Sequence, residues 1–187
     1  MVDNGFKPYP CGMVAHAAID AVRELRGLAS VDAELMFLRL RVSPETLSMM
    51  GIPDPRTGLQ GKFSVRYEAA VAWVEGDVAP AAFEDVAVQR DEYQKVMART
   101  VVDSDVGVAQ QEAYAEVQTS DGERHAVHVP FARGTVQQPL TDDDLHAKFR
   151  TACATSGYPH AGKLAETIWH LDKISVKQLT AMLAGQW

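Results

Sequence analysis

Apolar residues recur along this chain with two different periods. Ala15, Ala18, Ile19, Val22 and Leu25 fall on one helical face, which predicts an amphipathic helix over 13–28. Met36, Leu38, Leu40 and Val42 alternate with Phe37, Arg39 and Arg41, the pattern of a half-buried strand. Ser43-Pro44-Glu45 starts a short helix, with proline at its first position. Residues 52–58 hold two prolines, an aspartate and a glycine and read as a loop. Phe63 to Val74 is apolar on nearly every side, which predicts a buried helix stopped at Glu75-Gly76-Asp77. Two short helices follow over 81–88 and 91–97, then a weak strand over 100–102. Asp121-Gly122 joins strand-like runs at 112–119 and 124–131, a hairpin signal. Beyond a polar linker at 134–139 the pattern is helical only: 141–155, 162–171 and 175–183.

The order is mixed α and β up to residue 134 and helical afterwards. It predicts an α+β chain with a small antiparallel sheet, divided into 1–134 and 135–187. Strand–helix–strand alternation of the doubly wound kind is missing, and so is a Gly-rich phosphate loop. The last three helices carry Leu164, Ile168, Trp169, Leu179, Met182 and Leu183. So much apolar surface on short helices predicts a covering partner or a homo-oligomer.

Composition narrows the function. The chain has 187 residues and a formal net charge of −7. With no Lys/Arg cluster to offset that balance, a nucleic-acid or anionic-membrane partner is not expected. An anionic substrate must be caught by local positive charge. Cys11 and Cys153 stand far apart and read as reduced thiols of a cytoplasmic protein. No apolar stretch is long enough for a membrane span. Met1-Val2-Asp3-Asn4 has neither a basic nor an apolar signal region, so no secretory signal is expected.

The densest chemical signal is Gly5-Phe6-Lys7-Pro8-Tyr9-Pro10-Cys11-Gly12, followed by His16 and Asp20. Two prolines hold Lys7 on a stiff, extended segment just ahead of a helix. A pinned point charge suits a carboxylate. His16 lies one turn into the helix and could move a proton near neutral pH or bond a neighbouring loop. Tyr67 needs a hydroxyl partner or serves a site; packing is the commoner role for such a residue. Lys62 and Arg66, read as one turn apart on a single helix, would add positive potential. Cys11 reads as a packing residue. His125 and His128 fall on opposite strand faces, and the remaining histidines share no ligand spacing, so no metal and no cofactor is expected.

These residues also resemble the MmgE/PrpD family, which includes 2-methylcitrate dehydratases and cis-aconitate decarboxylases. Four stretches match in order: Gly5–Asp20, Gly61–Tyr67 with the helix after it, the Asp121-Gly122 hairpin, and Gly134 through Pro139-Leu140 to Lys148-Phe149. The whole chain looks like the C-terminal two-fifths of a typical member. The resemblance implies an α+β lid followed by helices that return to a large helical domain, which is not in this chain. It implies lid residues at Lys7 and Tyr67, with a cleft between lid and helical domain that takes a small di- or tricarboxylic acid. It implies a cofactor-independent lyase that is inactive alone, or a non-catalytic fragment or binding subunit of a split enzyme. In cis-aconitate decarboxylases a histidine falls at the position of Gly12, so the glycine favours dehydratase-like chemistry, with epimerisation still open.

Overall fold

The computed structural model describes residues 4–30, 32–158 and 160–185; Met1, Val2 and Asp3, where no signal is expected, lie outside them. The chain divides into two compact units, 1–140 and 141–187.

In the first unit a 3-10 turn at Met13–Ala15 leads into helix α1 (His16–Leu28). Strand β1 (Leu35–Val42) follows, then α2 (Pro44–Met50), capped by Ser43. Next come α3 (Gly58–Gly61), α4 (Val65–Glu75), α5 (Asp85–Val88) and α6 (Asp91–Ala98). Strand β2 (Thr100–Ser104) and the hairpin β3 (Ala113–Thr119) and β4 (Arg124–Val129) complete the sheet.

The strand order is β2-β1-β3-β4. β1–β3 and β3–β4 are antiparallel, whereas β1–β2 is parallel, with Leu38 opposite Thr100. The sheet is therefore mixed and not purely antiparallel. The reason is the long helical connection over 43–99, which lets β2 re-enter beside β1 in the same direction.

Alternation puts Leu38, Leu40, Val42, Ala115, Val117, Val127 and Val129 on one face of the sheet, all buried. α1 covers that face with Ile19, Val22 and Leu25. A register shift between Leu35 and Phe37 breaks the predicted alternation at the start of β1: Leu35 is buried, while Met36 and Phe37 are both exposed. α4 packs on α1, and both helices bury small residues: Ala69, Ala70 and Ala72 on α4, Ala17, Ala18 and Ala21 on α1. It ends at Gly76, whose φ of 74° is the left-handed stop expected after the apolar run.

Residues 134–138 are folded onto this unit and are not a free linker. Gly134 N–H donates to Gln138 O (2.8 Å), and the buried Thr135 hydroxyl donates to Ala132 O (2.8 Å). The second unit holds α7 (Asp142–Thr155), α8 (Ala161–Trp169) and α9 (Val176–Leu183). Capping boxes at Thr141/Asp144 and Ser175/Gln178 start its first and last helices. Among its described residues Cys153 and Leu164 are buried, while Trp169, Leu171, Val176 and Leu183 are exposed. Among the described residues no helix is long and apolar enough to cross a membrane.

Candidate functional site

The segment Lys7–Gly12 is fixed at both ends. At its start, Phe6 N–H donates to Gly134 O (3.0 Å). A Cβ on Gly5 would lie 1.9 Å from Gly134 O, and one on Gly134 would lie 1.9 Å from Phe6 O. Both glycines are there because two backbones touch, and Gly134 also has φ of 84°. At its end the chain enters α1 through the 3-10 turn.

Tyr9, two residues after Lys7, is buried and anchors the loop. Its hydroxyl donates to Asp20 Oδ1 (2.5 Å) and accepts from Arg23 Nη1 (2.7 Å). Asp20 Oδ2 accepts from the Arg133 N–H (2.7 Å). Burial pushes the Asp20 carboxyl up, against the hydrogen bonds from Tyr9 and Arg133 that favour its charge. Burial, then the Asp20 charge, also pushes the Tyr9 phenol up.

The Lys7 side chain is exposed, and its ammonium donates to Cys11 O (3.2 Å). Among the described residues no carboxylate pairs with it. Cys11 is the hub of the site. Its carbonyl holds Lys7, and its thiol lies against the Glu68 carboxyl without meeting normal hydrogen-bond geometry. Lys7 and Lys62 both add positive potential at the thiol, yet burial, followed by Glu68, pushes the thiol's pKa upward. The thiol is therefore protonated and a poor nucleophile, consistent with a packing role.

His16 is fully buried, and neither ring nitrogen has a hydrogen-bond partner. Tyr9 meets its ring edge-on, with centroids 5.2 Å apart. Burial, and then Lys7, lowers its pKa to about 4, so the ring is neutral at pH 7. Glu68 is fully buried too, with both oxygens unpartnered. Burial holds its carboxyl well above the usual carboxylate range. Gly12 has Met50 in front of it: a Cβ there would lie 2.4 Å from the methionine sulfur, which could swing aside.

Tyr67 is fully buried, and its hydroxyl donates to Ala82 O. Its ring packs edge-on against Phe83 (6.0 Å) and Tyr93 (5.7 Å). Burial, then Tyr93, pushes its phenol upward. This is a core position. Lys62 and Arg66 do not share a helix. Ser64 caps α4 by accepting from Tyr67 N–H (3.3 Å), so the helix starts after Lys62, which caps α3. The Lys62 ammonium lies over the Phe83 ring, 5.7 Å from its centroid, and adds positive potential at Cys11, whereas no interaction ties half-exposed Arg66 to Lys7, Cys11 or His16. The structure thus brings together Lys7, Cys11, His16 and Glu68, with Lys62 on the neighbouring Phe83 ring. Sequence reasoning missed Glu68, although a lone acid inside Val65–Trp73 is a visible signal. It noted Asp20 without assigning it a partner.

On the hairpin, His128 stacks on Tyr114 (4.1 Å) and shares Glu112 with it. Among the described residues no three His, Cys, Asp or Glu stand together as metal ligands.

The first unit combines an α+β fold with a pinned lysine loop. The MmgE/PrpD C-terminal domain model matches residues 9–173, and the chain belongs to that family. No curated protein matches it.

Proposed function

We propose that this chain is the lid of a cofactor-independent, dehydratase-like lyase that acts on a small di- or tricarboxylic acid. Elimination of water needs an anchored carboxylate, a base for the α-proton and an acid for the leaving hydroxyl. Lys7 supplies the anchor, and Lys62 adds to the same positive region. His16 orients the lysine loop from beneath. The remaining groups come from the helical domain with which the lid works, on this polypeptide or another. One observation carries the reading: a lysine held on a rigid loop with only a backbone carbonyl as partner, in a protein of net charge −7. Gly12, without an imidazole, supports dehydration over decarboxylation.

The test uses the chain alone. It should bind 2-methylcitrate or citrate, followed by NMR, without turning either over, because one side of the cleft is not on this unit. Lys7→Ala should weaken binding about tenfold to two-hundredfold, the value of a charge-assisted contact of roughly 1.5–3 kcal/mol. Lys7→Arg should restore it only in part, since a planar fork replaces a point charge. Equal binding by Lys7→Ala would sink the reading. Turnover by the chain alone would show that the lid needs no second half. The committed Tyr67 hydroxyl favours a second reading, in which the unit binds the acid as a subunit and moves no proton itself.

A further inference from the structure

The Lys7 ammonium is held within its own loop, by Cys11 O (3.2 Å), but the residues on both sides of Lys7 are held by one distant stretch, 132–138. Phe6 N–H donates to Gly134 O (3.0 Å). Pro8 lies against the same glycine: a Cβ on Gly134 would stand 2.9 Å from Pro8 Cδ and 1.9 Å from Phe6 O. Tyr9 reaches the stretch through Asp20, which accepts from the Tyr9 hydroxyl with Oδ1 and from the Arg133 N–H with Oδ2 (2.7 Å). Residues 6, 8 and 9 thus all lean on 133–134, and Lys7 is carried between them.

The stretch is itself well fixed. Ala132 N–H donates to Gln111 O (3.1 Å) in the connection between β2 and β3. The buried Thr135 hydroxyl donates to Ala132 O (2.8 Å) and accepts from the Gln138 N–H (3.2 Å), and Gly134 N–H donates to Gln138 O (2.8 Å). Gly134 stands at its turn with φ of 84°, a conformation that other residues adopt only under strain. We propose that Gly134 is the positioning residue of Lys7: the 132–138 stretch is the template that sets where the ammonium stands, and through it how tightly a carboxylate is held. This rests on the reading of Lys7 as a carboxylate anchor.

The physical reason is stiffness. Pro8 and Pro10 restrict the backbone on the far side of Lys7, so the loop follows its support as a body and does not absorb a displacement by bending at one residue. A contact between point charges depends on where they are held, and a misplacement of about 1 Å is enough to matter at a site that works by position. A tie that served only the fold would act on stability and leave the share of Lys7 in binding unchanged. The two roles therefore differ in what they do to a variant that has no lysine to position.

The experiment uses the full chain with Gly134→Ala, Gly5→Ala, Lys7→Ala and Lys7→Ala combined with each glycine change. Gly5→Ala approaches the same contact from the other side: its Cβ would lie 1.9 Å from Gly134 O, and Gly5 is exposed and outside the left-handed region, so crowding is tested without strain. NMR titration with citrate reads affinity, weak as well as tight, and the backbone amide shifts read the place of the loop. Urea unfolding reads stability. Each glycine change should move the amides of Lys7 and Cys11, leave those of the β3–β4 hairpin in place and weaken citrate binding about tenfold, the low end for loss of a charge-assisted contact. In the Lys7→Ala background the same change should weaken binding no further, while its effect on the urea midpoint persists.

Glycine variants that bind citrate as the wild type does overturn the proposal, and so do loop amides that stay where they were. An equal loss of affinity with and without Lys7 overturns it as well, because the glycines would then act on binding by another route. Binding that depends on Lys7 but is indifferent to both glycines removes the positioning role and leaves the anchor. Citrate binding untouched by Lys7→Ala, or absent from the wild type, removes the anchor, and the positioning role with it. If Gly134→Ala does not fold, Gly5→Ala decides alone.

Discussion

Two polar clusters meet the lysine loop, and they are built in opposite ways. The one around Tyr9 is closed. The phenol, Asp20, Arg23 and the Arg133 N–H satisfy one another, and Arg23 also donates to Gly76 O (2.9 Å). The one around Cys11 is open. His16 and Glu68 are as deeply buried as any core residue, and none of their four polar side-chain atoms has a partner. A satisfied network gives rigidity and a unique geometry. An unsatisfied pair costs stability and shifts protonation, which is how reactive sites are commonly arranged. The contrast separates scaffold from site: Tyr9 fixes where the loop is, and Cys11 connects the loop to groups whose charge can change.

The largest effect that tests this division is on the closed cluster. Asp20→Ala leaves the Tyr9 hydroxyl and the Arg133 N–H without their acceptor in a buried place. It should cost about 3–5 kcal/mol, as breaking one side of a buried ionic network does. Urea unfolding would show a lower midpoint at unchanged slope. Asp20→Asn keeps one acceptor oxygen and should cost less. If Asp20→Ala unfolded at the wild-type midpoint, Asp20 would not be scaffold and the contrast would collapse.

The second effect concerns the open cluster and has a definite sign. Folded His16 has its pKa lowered from 6.5 to about 4, so between those values the unfolded chain binds more protons than the folded one. Its contribution is therefore complete above about pH 6.5 and is lost as the pH falls toward 4. The loss amounts to roughly 3 kcal/mol. Glu68 has the opposite slope: its pKa is raised, so stability falls as the pH rises from the ordinary carboxylate range toward its folded value. Denaturant midpoints across that range should show an acid limb that is absent in His16→Gln. A limb that survives in the variant would assign it to another group.

Much of this frame was legible in the chain, and the misses have physical reasons. The Ser43-Pro44 helix start, the Gly76 stop and the Asp121-Gly122 turn are local, set by backbone conformations that few residues allow, and each appears where the sequence puts it. Gly122, with φ of 87°, sits in the hairpin turn for that reason. The parallel pairing of β2 with β1 was not legible, because it depends on how the 43–99 connection folds and not on either strand. The i, i+4 reading of Lys62 and Arg66 failed because Ser64 prefers to cap a helix than to continue one. At the site, the stiff lysine loop was readable from its prolines. The burial of Glu68 was not, since a glutamate one turn into a helix ordinarily faces water and only packing against α1 and Cys11 encloses it.

Tyr67 and Glu68 are adjacent on α4, and the smallest predicted effect separates them. Tyr67 has what Glu68 lacks, a hydrogen-bond partner, in the Ala82 carbonyl. Tyr67→Phe keeps the ring between Phe83 and Tyr93 and removes only that bond, so it should cost about 1 kcal/mol, the net value of one buried hydrogen bond. Citrate affinity should not change, because the hydroxyl is engaged by the Ala82 carbonyl. Parallel unfolding and binding measurements on Tyr67→Phe distinguish the two roles. Unchanged stability with weakened binding would return Tyr67 to the site as a working phenol. A modest loss of stability with unchanged binding keeps Tyr67 in the core and leaves the proposed anchor role with Lys7.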